Sequence, residues 1–172
     1  MAFRHWGDLK ADDLKALVTD ATVALLPVGA IEQHGPHLPL ATDAILAEAV
    51  ALRAAAAVKD AQVLLLPTVA VAKSDEHLAF PGVLTLDAAT LQAVLVQTGK
   101  SVARSGIRGL VFLNAHGGNV PVLQVAARTL RVESDMFCLA AGWMSMGYPA
   151  GLVSEAEARD GILDDARGLL RV

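Results

Sequence analysis

The chain has a single cysteine among its 172 residues. That excludes an intramolecular disulfide framework. Cys138, inside the apolar stretch "MFCLAAG", reads as a small buried hydrophobe rather than a nucleophile. Aromatic residues make up only 4%, so stacking platforms for nucleic-acid bases are scarce. Lys and Arg number 14 against 18 Asp and Glu, for a net charge of −4 without a long basic run. A nucleic-acid partner is not expected. There is no GxGxxG or Walker loop, and the glycine-rich "HGGN" lacks the lysine of a phosphate-binding loop. Long hydrophobic runs are missing too. The chain is 54% hydrophobic with a mean hydropathy of +0.48, yet no run approaches the roughly 20 residues of a membrane span. The first residues, "MAFRHWGDLKADDLK", lack the apolar core of a signal peptide. The expectation is a soluble, cytoplasmic protein that binds neither membrane nor nucleic acid.

What the chain does have is a rhythm. Strand-length apolar runs alternate with longer, Ala-rich segments of helical character. "VALLPV" (23–28), "QVLLLPTVAV" (62–71), "RGLVFLN" (108–114) and "MFCLAAGWM" (136–144) predict four main strands. Residues 43–59, 87–104 and 119–133 predict helices, the second opened by Asp87 as N-cap and closed by Gly106. Strands apolar on both faces and alternating with helices imply an α/β fold, a mostly parallel sheet covered on both sides. The length suits one domain over 1–172.

In such sheets ligands bind beyond the carboxyl ends of the strands. Three polar loops fall there: "GAIEQHGPHLPLATD" (29–43), "KSDEHLAFPG" (73–82) and "NAHGGN" (114–119). They are expected to converge. Glu32 and His34 stand two apart, so in an extended segment they face the same side. Asp43 starts a helix and His116 follows a strand. Carboxylate oxygen and imidazole nitrogen are the usual ligands of zinc, manganese or iron in hydrolytic sites. A solvated loop could hold the same residues, but a metal site explains them together. His5 alone reads as solvated, and His37 and His77 fit either a substrate contact or a structural hydrogen bond.

These three blocks, "PVGAIEQHGPHLPLATD", "SDEHLAFPG" with the following "LTL", and "NAHGGN", resemble the signatures of the creatininase (creatinine amidohydrolase) family over about Leu26 to Gly161. The resemblance implies a three-layer α/β/α amidohydrolase with two divalent metals (zinc, manganese or iron) per site. It acts on a creatinine-like cyclic amide, a formamide or a small peptide, and is commonly a homo-oligomer. Carried over, Glu32 and His116 bind one metal, His34 the other, and Asp43 bridges them. His37, Ser74 and His77 line the substrate site.

The sequence also departs from the family pattern. Where creatininase carries a second-metal glutamate two residues after the histidine, this chain has Gly118. The later "HAGE" block, a second source of that glutamate and of the acid/base histidine, is absent, so no catalytic acid/base is assigned. Glu155, Glu157, Asp160, Asp164 and Asp165 lie outside the matching frame. The expectation is that the C-terminal part is missing, the second metal site incomplete and activity impaired. The alternative is an inactive relative serving as a binding or assembly partner.

Overall fold

Apolar runs become strands here because both of their faces find cover. The computed structural model of the chain describes residues 3–143. Strands β1 (Arg4–His5), β2 (Val23–Val28), β3 (Val63–Leu65), β4 (Gly109–Asn114) and β5 (Phe137–Gly142) form one sheet in the order β1-β3-β2-β4-β5. Every pairing is parallel, with Leu26 opposite Phe112 and Phe112 opposite Ala140. Successive side chains alternate between two apolar layers, as the two-residue period of a strand requires. Leu26, Val28, Leu64, Leu110, Phe112 and Cys138 face α3 (Ala88–Arg104) and α4 (Val120–Ser134). Leu25, Val63, Leu65 and Leu113 face α2 (Thr42–Ala57). That helix buries Ala44, Ala47, Ala51 and Ala55, a helical stripe whose small side chains bring it close to the sheet.

The expected α/β architecture with helices on both faces is therefore present, and Asp87 does cap α3, accepting from the Thr90 N–H at 2.7 Å. That bond holds its carboxyl below the usual range. Three expectations change. The strand expected over 62–71 is laddered only at Val63–Leu65 and resumes as a single bridge between Val28 and Val69, because Pro67 between them has no N–H to give. The sheet has a fifth strand, β1, too short to show a period. Helix α1 (Ala11–Leu17) adds to the three helices expected; Leu14 and Leu17 pack on the α3/α4 side of the core. "VLTL" contributes one antiparallel bridge, Ile31 to Leu84. The end of the last expected strand and the acidic residues from Glu155 to Asp165 lie outside the described residues. Among the described residues no helix is long and apolar enough to cross a membrane.

Candidate metal centre

Because β2 and β4 are neighbours in register from Val23–Gly109 to Val28–Asn114, the loops that leave them start side by side. The chain turns out of β2 at Gly29 under the first turn of α2. A Cβ there would lie 2.5 Å from the Ala44 Cα and 2.6 Å from its nitrogen, so only glycine lets the helix start this close. The approach sets Asp43, in that first turn, over the strand exit with its carboxylate buried. The intervening loop closes through the Glu32 N–H donating to the Leu40 carbonyl at 3.0 Å.

The three expected loops do converge. From the first, Glu32 and Asp43 are both buried. The His34 ring has Nδ1 3.2 Å from the Glu32 carbonyl and Nε2 3.0 Å from Asp43 Oδ1. From the second, Ser74 is fully buried and its hydroxyl donates to Glu32 Oε2 at 2.5 Å. His77 Nε2 stands 3.6 Å from Glu32 Oε1. From the third, His116 places Nδ1 3.1 Å from Asp43 Oδ2 and Nε2 3.3 Å from Glu32 Oε2. His37 is not drawn in: it is exposed, beside Gly35, and among the described residues no hydrogen bond or ion pair joins it to this group.

The donor set suits a divalent cation. One ligand atom each from Glu32, His34 and Asp43 lies within 4.8 Å of the others. Donors bound at about 2.1 Å to a common ion are separated by about 3.0–3.4 Å, and the His34–Asp43 and His116–Glu32 separations are 3.0 and 3.3 Å. The basic groups facing these two carboxylates are imidazoles. With its proton on Nδ1, donated to the Glu32 carbonyl, His34 turns a bare Nε2 toward Asp43. Two acceptors at that distance need a proton or a cation between them. Burial works against charge on His116 and is the largest single influence. The hydrogen bond to Asp43 and the negative charge of Glu32, Asp43 and Glu76 outweigh it, holding the ring's pKa above its ordinary 6.5.

Three further residues belong to the site that the sequence did not single out. Asn114 accepts from the His116 N–H at 3.2 Å and donates to its carbonyl at 2.6 Å, fixing that residue's backbone. Asn119, fully buried, donates to the Gly29 carbonyl at 2.8 Å and accepts from the Lys73 N–H at 3.0 Å. It ties all three loops. Glu76 reaches His116 Nε2 at 3.2 Å. The available signal for the asparagines was their position, amides bracketing a histidine at a strand end.

The family model of creatininase (creatinine amidohydrolase) matches residues 7–162, and the chain belongs to the creatininase family. It is 42% identical over 130 residues to the mycofactocin precursor peptide peptidase of Mycolicibacterium smegmatis, covering 74% of this chain and 51% of that protein. To the creatinine amidohydrolase of Pseudomonas putida it is 35% identical over 118 residues, 63% of this chain and 44% of that one. A manganese creatininase structure superposes with a TM-score of 0.70 at 30% identity, over 87% of this chain and 65% of the other. The chain thus spans about half the length of the curated relatives it matches.

Proposed function

We propose that the chain is a metal-dependent amidohydrolase that cleaves the C–N bond of a small amide, with Glu32, His34, Asp43 and His116 as metal ligands. The observation that carries this reading is the way Asp43 divides its two oxygens between two imidazoles, Oδ1 to His34 and Oδ2 to His116. Oδ1 is placed to share an ion with His34 Nε2. Oδ2 lies against His116 Nδ1 while Glu32 faces Nε2, so reading Asp43 as the bridge supposes that Oδ2 turns from the ring to the ion held by Glu32 and His116. Divalent metal held there would lower the pKa of a water and polarise the amide carbonyl it attacks. The chain's own groups do the rest. Ser74 holds Glu32 by one oxygen, and the Glu32 carbonyl fixes the His34 tautomer. Asn114 and Asn119 keep the loops at their spacing. His77 and His37 stand on the loops that a substrate would meet.

A short peptide is the first substrate to try, because the relative at 42% identity is a peptide peptidase; cyclic amides and formamides follow. The working form is read as a homo-oligomer in the cytoplasm; in support of the first, β5 exposes Phe137 by 72% and Leu139 by 48%, apolar surface suited to burial against another chain. The test is to load the purified chain with Mn²⁺ or Zn²⁺ and assay it against peptides, cyclic amides and formamides. Turnover that Asp43→Ala abolishes is expected. A chain that binds metal yet turns over none of the panel would favour the binding-partner alternative, and one that binds no metal would remove the site.

A further inference from the structure

We propose that Glu76 is a further ligand of this metal centre, a carboxylate brought in by the second loop through the space that Gly118 leaves open. The inference rests on the metal-binding reading above. Three facts carry it. Glu76 Oε1 lies 3.2 Å from His116 Nε2, and Glu32 Oε2 lies 3.3 Å from the same nitrogen. Acidic oxygens from two loops therefore face one ring atom of a third, at the separation expected of donors sharing an ion.

Next, the space is reserved. A Cβ on residue 118 would fall 2.0 Å from Glu76 Oε1, 2.5 Å from His116 Nε2 and 2.9 Å from the Glu76 Cδ. A side chain at 118 and the Glu76 carboxylate exclude each other as they stand. Gly118 is not among the described glycines of positive φ, so it is the approach of Glu76 and the His116 ring, rather than its backbone, that leaves no room for a Cβ with those side chains where they stand.

Finally, the carboxylate is held. Lys73 Nζ donates to Glu76 Oε2 at 3.0 Å, and the Lys73 N–H is itself bound by the buried Asn119. One oxygen is tied to a cation, which leaves the other directed at His116. Asp75 and Glu76 are both exposed and share Lys73, but among the described residues only Glu76 reaches His116, so Asp75 serves as the control.

A partner that only balanced charge would leave the ion's coordination untouched when replaced; a ligand would not. The full chain and its variants are stripped with chelator and titrated with Co²⁺, reading stoichiometry by metal analysis and coordination by the visible spectrum. Folding is followed by circular dichroism. Glu76→Gln is expected to weaken binding of at least one ion by about tenfold or more and to change the cobalt spectrum. Glu76→Asp, which can keep the Lys73 pair but falls one methylene short of His116, should show the same direction and carries the test if Glu76→Gln does not fold. Asp75→Asn should leave both readouts unchanged. A folded Glu76 variant with wild-type affinity and spectrum, in a protein where Asp43→Ala abolishes binding, would overturn the role of Glu76 and spare the site. A wild-type chain that takes up no cobalt would overturn both.

Discussion

Asn119 reaches Gly29 across ninety residues of chain, its side-chain amide donating to the Gly29 carbonyl at 2.8 Å. Through the same side chain's oxygen it also holds the Lys73 N–H. One buried amide thus joins the loop after β2 and the loop after β3 to the end of β4, and the spacing of the proposed ligands depends on that junction.

Asn119→Ala is therefore expected to cost about 1–3 kcal/mol, the penalty for leaving buried backbone groups without partners, and to weaken metal binding as well. Asn119→Asp keeps an acceptor for Lys73 but cannot donate to Gly29, and should fall on the same side. Urea unfolding of the metal-free proteins measures the first effect and Co²⁺ titration the second. Unchanged stability in both variants would mean that the loops are held by other contacts.

Much of this was legible in the sequence. Strands covered on both faces must be continuously apolar, so β2, β4 and β5 announced themselves, and the position of loops at strand ends followed from parallel topology. Leu64 and Val63, pointing to opposite layers, show why the third strand read as a run rather than an alternation. What stayed hidden depended on contacts between distant segments. Glu76 sits in "KSDEH", in a polar loop expected at the site but with no role assigned to this residue, and it meets His116 only because the fold closes a gap of forty residues. Asn119 stands where the sequence starts a helix (119–133), and in the structure it makes no side-chain cap bond; its amide and carbonyl go to the loops instead. Arg4–His5 is too short to show any period.

Asp43 should matter to metal content more than any other single residue. Its two oxygens face two imidazoles, so Asp43→Ala is expected to lose both ions, whereas His34→Ala should spare the ion associated with Glu32 and His116. Metal analysis of the purified variants distinguishes these outcomes. Equal metal content in the wild type and Asp43→Ala would remove the site as drawn.

The pH dependence follows from His116, whose pKa lies above 6.5. In the metal-free protein the charged ring contributes stability that is fully present below the unfolded value and is lost as pH rises through the folded one. Metal binding needs the neutral ring, so affinity should fall by about tenfold per pH unit once pH drops below the folded value. As pH falls, the first raises the stability of the metal-free form and the second lowers the gain from metal, so both reduce the difference between the two forms. The gap in melting temperature between metal-loaded and metal-free protein should narrow on going from about pH 8 to about pH 5.5. A gap independent of pH would mean that His116 does not ligate.

Gly29→Ala tests whether the fold and the site are coupled at the point where β2 hands the chain to the loop that carries Glu32, His34 and Asp43. The added methyl would meet backbone, 2.5 Å from the Ala44 Cα and 2.9 Å from the Asp43 carbonyl carbon, so no side-chain rotation relieves it. Either α2 shifts outward and carries Asp43 away from His34 and His116, or the strand end gives way. Overpacking of this kind costs about 1–3 kcal/mol, and a shift of even a few tenths of an ångström would spoil a bridging geometry. The variant should therefore unfold at lower urea and bind Co²⁺ more weakly, with the second loss larger than that of a core substitution of equal stability cost remote from the site, such as Leu130→Ala between α3 and α4. If the two variants lose metal affinity equally, the effect belongs to stability alone and Gly29 has no special part in placing Asp43.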